Sequence, residues 1–206
     1  MPKEEWRESL GPRIDGTRRV LADRTLEEIA GRSGALVVDG GLELVLLGST
    51  YRLLWPELAL TFSDGNACPE ELTIMVLDYL GLADGTEPTG VWIGFQELPS
   101  GSFYRRAFQG YTGDQLVADL DANVEAFSNA AKRFGGEPIA MGDAAYAFRV
   151  LPHVSLAVVW WNGDDEFPAN ATVLFDEVAS HYLPTDGLAI LGRMLCRSLA
   201  KRGRES

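Results

Sequence analysis

Both histidines, a tryptophan pair and two groups of carboxylates fall between Leu151 and Gly187 of this 206-residue chain. Asp164, Asp165 and Glu166, with help from Asp176, present oxygen ligands of the kind that suit Mg²⁺, Ca²⁺ or Mn²⁺. Their spacing is not that of an EF-hand loop. The competing reading is a solvated turn, because Asn162-Gly163 is a hairpin dipeptide and acidic residues are common in turns. His181, followed by Tyr182, has the chemistry of a general base, a metal ligand or an axial ligand to a tetrapyrrole; it equally suits a loop histidine packed beside Tyr182. His153, after Pro152 at a strand start, reads as structural. Trp160 and Trp161 are neighbours on a strand and so point to opposite faces. One belongs to the core. The other, beside the carboxylates and Phe167, either holds a flat or cationic ligand or packs under a helix. A second cluster, Gln96, Glu97, Phe103, Tyr104 and Arg105, surrounds a Pro99-Ser100-Gly101 turn and reads as a pocket lid or as a plug for the end of a sheet. No G-x-S-x-G elbow, P-loop or G-x-G-x-x-G is present, so neither hydrolase nor nucleotide chemistry has motif support.

Composition narrows the classes. Hydrophobic residues make up 46% and charged residues 23%, with five tryptophans, as a folded globular chain requires. A net charge of −12 repels nucleic acid and anionic lipid. Basic residues gather near the ends, where Arg193, Arg197, Lys201, Arg202 and Arg204 complement the negative pole of a C-terminal helix. Two cysteines, Cys68 and Cys196, support no zinc ribbon, iron–sulfur cluster or disulfide framework. The first residues have no apolar signal region, and the longest apolar run, Val154 to Trp161, is too short to span a bilayer. A cytoplasmic protein is therefore expected, and the Asn170-Ala171-Thr172 sequon is read as chance.

The elements that must position these groups are read from periodicity. Residues 4–22 suit short helices, and Thr25 with Glu28 resembles a capping box opening another. Ala35–Asp39, Leu42–Leu47, Thr50–Trp55 and Leu58–Phe62 predict a β-meander, with Gly40-Gly41 and Gly48-Ser49 as tight connectors. Pro69 to Leu80 predicts a helix stopped by Gly81. Val91–Phe95 reads as a short strand. Leu116, Leu120, Val124, Phe127, Ala131 and Phe134 mark a long amphipathic helix with a break near Asp121, stopped by Gly135-Gly136. Strands follow at Ala144–Val150, Val154–Trp161 and Ala171–Phe175. A helix from about Thr185 closes the chain on a stripe of Leu188, Leu191, Leu195 and Leu199. Hairpins outnumber βαβ units, which predicts an α+β fold with a largely antiparallel sheet packed against amphipathic helices.

Four stretches carry a family resemblance. They are Leu47-Gly48 with Tyr51-Arg52; Trp92 to Pro99 with Phe103-Tyr104; Gly142-Asp143-Ala144-Ala145; and, most specific, Leu151-Pro152, Trp161-x-Gly163-Asp164-x-Glu166-Phe167-Pro168, Leu174-Phe175-Asp176 and Tyr182-Leu183-Pro184. The chain resembles the prokaryotic domain-of-unknown-function family 3786, mostly from anaerobic bacteria and archaea. The match covers nearly the whole chain and so implies a single domain over residues 1–206. The resemblance implies no established activity. Some relatives resemble fusions to a four-cysteine Fe–S module that this chain does not have, so a link to one-carbon or tetrapyrrole metabolism is contextual.

These readings together predict a soluble domain that binds a small ligand in an accessory role. The expected site is Trp160, Trp161, Asp164, Glu166, Phe167, Asp176 and His181, with Tyr104 from the aromatic loop. The alternatives are a metal-assisted or acid–base enzyme and a structural interaction module. The expected partners are a small molecule or tetrapyrrole and a protein, without nucleic acid or membrane; cofactor and metal stay unassigned.

Overall fold

A computed structural model describes residues 16–204. The early part of the helical reading at 4–22 lies outside them; residues 16–22 are helical (α1). The fold is α+β with two antiparallel sheets, and the described residues divide into two compact units, 16–87 with 181–183, and 88–180 with 184–204. No helix among the described residues is long and apolar enough to cross a membrane.

In the first unit α2 (Leu26–Ser33) opens on the capping box. The Thr25 hydroxyl accepts from Glu28 N–H, and Thr25 N–H donates to the Glu28 carboxylate at 2.9 Å. Gly34, at φ 69°, ends the helix. The meander follows as β1 (Leu36–Val38), β2 (Gly41–Leu46), β3 (Ser49–Leu54) and β4 (Ala59–Phe62), in that spatial order. Its second turn is Leu47-Gly48, both at positive φ, as a two-residue turn matched to strand twist requires. The apolar alternation of Leu42, Leu44 and Leu46 against Leu53 and Leu60 forms the buried face. Helix α3 (Glu70–Leu82) runs through Gly81 instead of stopping there. Gly81 is a close-approach residue: a Cβ would lie 2.8 Å from the Thr17 methyl of α1, and its carbonyl accepts from Arg24 at 3.1 Å.

The second unit is built on a five-stranded sheet in the order β5-β9-β8-β7-β6. Its strands are β5 (Trp92–Gly94), β6 (Glu137–Pro138), β7 (Ala144–Leu151), β8 (Val154–Trp161) and β9 (Asn170–Asp176). Its helices are α4 (Arg105–Tyr111), α5 (Gly113–Asp119), α6 (Val124–Arg133) and α7 (Thr185–Arg204). The period of the strands sorts their residues. Ala144, Trp160 and Ala171 form one row, Tyr146, Val158 and Val173 a second, and Phe148, Leu156 and Phe175 a third. This is the face the helices cover. Phe127 of α6 stacks on Trp160 at 5.2 Å, Phe108 of α4 meets Phe175 at 5.8 Å, and the backbone of Gly192 in α7 leaves room for the Phe108 ring. The predicted long helix is two, α5 and α6. Asp121 and Ala122 take positive φ between them, and the Asn123 side chain caps α6 by accepting from Glu125 and Ala126 N–H. Helix α4 begins at Arg105, the last residue of the expected aromatic loop, and runs through a stretch whose seven residues are too few to show a period and which Gly110 weakens further.

The α7 stripe of Leu188, Leu191, Leu195 and Leu199 is buried, and Cys196 is buried beside it. Burial pushes the Cys196 thiol up to about 12 from 9.0. The unfolded thiol ionises first as pH rises, so the unfolded chain binds fewer protons between those values and gains stability relative to the native one. Folding stability should therefore be complete below pH 9 and fall toward 12, by at most about 1.4 kcal/mol per pH unit from this group. Urea midpoints across that range should fall less steeply in Cys196→Ala; parallel curves for the two proteins would remove the thiol as a cause.

Candidate functional site

The acidic loop joins β8 to β9 and spans residues 162–169. Asn162-Gly163 is not its hairpin turn. The tight turn lies further on, at Asp164–Phe167, closed by Asp164 N–H donating to the Phe167 carbonyl at 2.8 Å. The Asp164 carboxylate folds this turn, since its Oδ1 accepts from Phe167 N–H at 2.7 Å and Glu166 N–H at 2.8 Å. These two donors hold its carboxyl below the usual carboxylate range. Gly163 is required because a Cβ would lie 2.7 Å from Ala169 N. Asp165 and Glu166 face solvent, and Phe167 is 66% exposed. Among the described residues no group of three or more His, Cys, Asp or Glu side chains could hold a metal ion.

The tryptophan pair divides as strand geometry dictates. Trp160 is fully buried in the core, and its indole N–H meets no acceptor among the described residues. Trp161 is exposed, on the opposite face of the sheet.

Asp176 stands at the other end of β9 from this loop. It is fully buried. Its Oδ2 accepts from Gly90 N–H at 2.7 Å, and its Oδ1 accepts from Val178 N–H at 3.2 Å and Thr89 N–H at 3.3 Å. The Thr89 hydroxyl is shared between Glu177 Oε1 at 3.0 Å and Asp176 Oδ1 at 3.4 Å. Asp176 thus ties the segment entering β5 to the end of β9, where Trp92 pairs with it across the sheet.

That tie forms one wall of a groove of about 490 Å³, lined by residues including Gly90, Trp92, Glu137, Arg149, Ser155 and Asp176. Register explains how they meet. Arg149 pairs with Ser155, and Ser155 precedes Leu156, which pairs with Phe175, the residue before Asp176. A row therefore crosses β5, β9, β8 and β7 on the face opposite the helices. A bulge at Val150 follows, which lets both Val150 and Leu151 be buried while Arg149 points away. Arg149 is exposed and makes no hydrogen bond or ion pair among the described residues. A guanidinium fork, a hydroxyl and an indole ring on one wall can bind an anionic group and a flat apolar surface.

His181 belongs to the first unit. Its Nδ1 donates to Asp84 Oδ2 at 2.7 Å, with both side chains nearly half exposed. Burial, the largest single influence, raises Asp84, but hydrogen bonds from Thr86 and His181 and the charge of His181 together outweigh it and hold the carboxyl below its usual range. An imidazole oriented by a carboxylate, with its Nε2 turned away from it, is an arrangement that suits proton transfer or a single ligand bond. Next to it, Tyr182 is fully buried and donates to the Thr86 carbonyl. Burial, then the nearby Asp84 and Glu87 carboxylates, push its hydroxyl up to about 12. Tyr104 lies in the second unit at the start of α4, exposed beside Phe103.

The structure thus distributes the expected residues. Trp160 is core, Asp164 folds a turn, Asp176 anchors a wall of the groove, and Trp161 shares the groove's face of the sheet at its far end. Glu166 and Phe167 stay in the loop. The groove residues that composition and spacing did not single out are Arg149, Ser155 and Glu137. Arg149 did leave a signal: a cation between Phe148 and Val150 in a strand must face away from the core.

A search of curated proteins and a search of solved structures each found no match to the chain. The family described as a domain of unknown function (DUF3786) matches residues 25–198, which takes in most of both units, with the meander, the groove and most of α7. The chain belongs to that family.

Proposed function

We propose that this protein binds a small molecule in an accessory role, and that the ligand lies in the groove across β5, β9, β8 and β7. The observation that carries this reading is the Arg149 guanidinium, without a partner among the described residues, on the wall of a groove of about 490 Å³ beside the Ser155 hydroxyl and Trp92. That volume is of the size that small-molecule sites occupy, about 300–1,000 Å³. The guanidinium offers a planar fork of N–H donors, which suits it to an anionic group. A carboxylate or phosphate on the ligand meets Arg149, and a flat apolar portion lies along Trp92. Glu137, on the neighbouring edge strand, adds an acceptor for a ligand N–H or O–H. Tetrapyrroles with carboxylate side chains combine these features, as do smaller aromatic acids. Asp176, its oxygens already engaged, shapes the wall and does not grip the ligand. Trp161 and the loop carrying Asp164, Glu166 and Phe167 border the same face farther along.

Thermal melts against aromatic carboxylates, phosphate esters and tetrapyrroles test the reading. At least one of these classes should raise the melting temperature of the parent. Arg149→Gln should remove most of that rise while melting as the parent does without ligand, because Arg149 is exposed and bonded to nothing described. A charge-assisted hydrogen bond contributes about 1.5–3 kcal/mol, so affinity should fall roughly 10- to 150-fold. An equal rise in both proteins would remove Arg149 from the site.

A further inference from the structure

We propose that Phe103, Tyr104, Arg105 and Arg106 form a docking tip for an acidic protein partner. Phe103 is 85% exposed and Tyr104 65%, and the two arginines after them are exposed as well. Neither arginine makes a hydrogen bond, ion pair or ring contact among the described residues. These two guanidinium groups, in the first turn of α4, stand at the helix end where positive charge is disfavoured. No carboxylate among the described residues pairs with them, in a chain whose net charge is −12.

The tip is also held rigidly. Ser100 takes a positive φ of 60°, and a Cβ on Gly101 would lie 1.8 Å from the Phe95 carbonyl, so only glycine permits this close turn. Phe108, one turn into α4, stacks on Phe95 at 4.1 Å, and the Thr185 hydroxyl donates to the Pro99 carbonyl at 2.7 Å. Exposed rings on a fixed base lose little entropy on binding. Phenylalanine, tyrosine and arginine are the types enriched at interface centres. Charge fixes the partner's chemistry: carboxylates for Arg105 and Arg106, around an apolar recess for Phe103.

Selection of a displayed library of random peptides against the full chain tests this. The recovered peptides should be enriched in Asp and Glu interleaved with apolar residues. Their binding should weaken with added salt. It should fall roughly thirtyfold or more in Phe103→Ala and in Arg105→Gln with Arg106→Gln, as truncation of central anchors does. Phe103→Ala should melt as the parent does, since the side chain is exposed, and the arginine variant should melt no lower than the parent, since it removes positive charge from the start of α4. Peptides without acidic enrichment, or bound equally by parent and variants, would overturn the proposal. So would tight binding of a mixed-sequence oligonucleotide that is lost in the arginine variant, which would assign the tip to nucleic acid. Sedimentation showing a dimer that Phe103→Ala dissolves would assign it to a second copy of this chain.

Discussion

Asp176→Ala should lower folding stability by about 2–4 kcal/mol, because it leaves backbone donors unpaired at a cost of about 1–3 kcal/mol for each one that is buried. Val178 N–H is the most buried of the three; Gly90 and Thr89 N–H are partly solvated and regain some bonding to water. Asp176→Asn keeps a carbonyl acceptor and should lose less. The same change should disturb the groove, since Gly90 and Trp92 line it and the carboxylate holds the segment that carries them. Urea unfolding of the three proteins measures the first effect. An alanine variant as stable as the parent would show that the carboxylate is not the anchor described.

Leu191→Ala should cost about 2–5 kcal/mol, the range for a fully buried leucine whose surroundings cannot collapse. Collapse is blocked on this helix by close backbone contacts. A Cβ on Gly192 would lie 3.1 Å from the Phe108 ring, and one on Gly203 would lie 2.4 Å from Leu120. The helix therefore cannot shift inward to fill the space a missing leucine leaves, and the loss should lie in the upper part of that range. An unchanged denaturant midpoint would contradict the packing of α7.

What could be read from residues alone was local. Thr25 with Glu28 and the leucine stripe of α7 each depend on neighbours within one or two turns, and each is present; the glycine connectors of the meander lie one residue earlier than Gly40-Gly41 and Gly48-Ser49, at Asp39-Gly40 and Leu47-Gly48. Turn placement was read less well: Asn162-Gly163 resembled a hairpin, but the Asp164 carboxylate captured Glu166 and Phe167 N–H and moved the turn on. The division of the strands into two sheets follows from pairing choices that no single segment encodes. The groove was illegible for the same reason. Trp92, Arg149, Ser155 and Asp176 come from four strands and meet only through register. His181 gave the right residue type for an oriented imidazole, but its partner Asp84 lies 97 residues away. Tryptophan alternation, by contrast, needs only strand geometry to put the two rings on opposite faces; that Trp160 is the core one and Trp161 the exposed one comes from the packing of α6.

The five tryptophans make the decisive measurement direct, because each indole N–H gives its own NMR signal. The compound that most raises the melting temperature should be titrated into labelled protein and the indole signals assigned by single Trp→Phe changes. If the ligand lies in the groove, Trp92 shifts in proportion to occupancy, Trp161 at the far end of the same face stays in place, and Arg149→Gln abolishes the shift. Movement of Trp161 with Trp92 unmoved, lost on Asp164→Asn with Glu166→Gln, would place the ligand at the acidic loop and contradict the groove as the site.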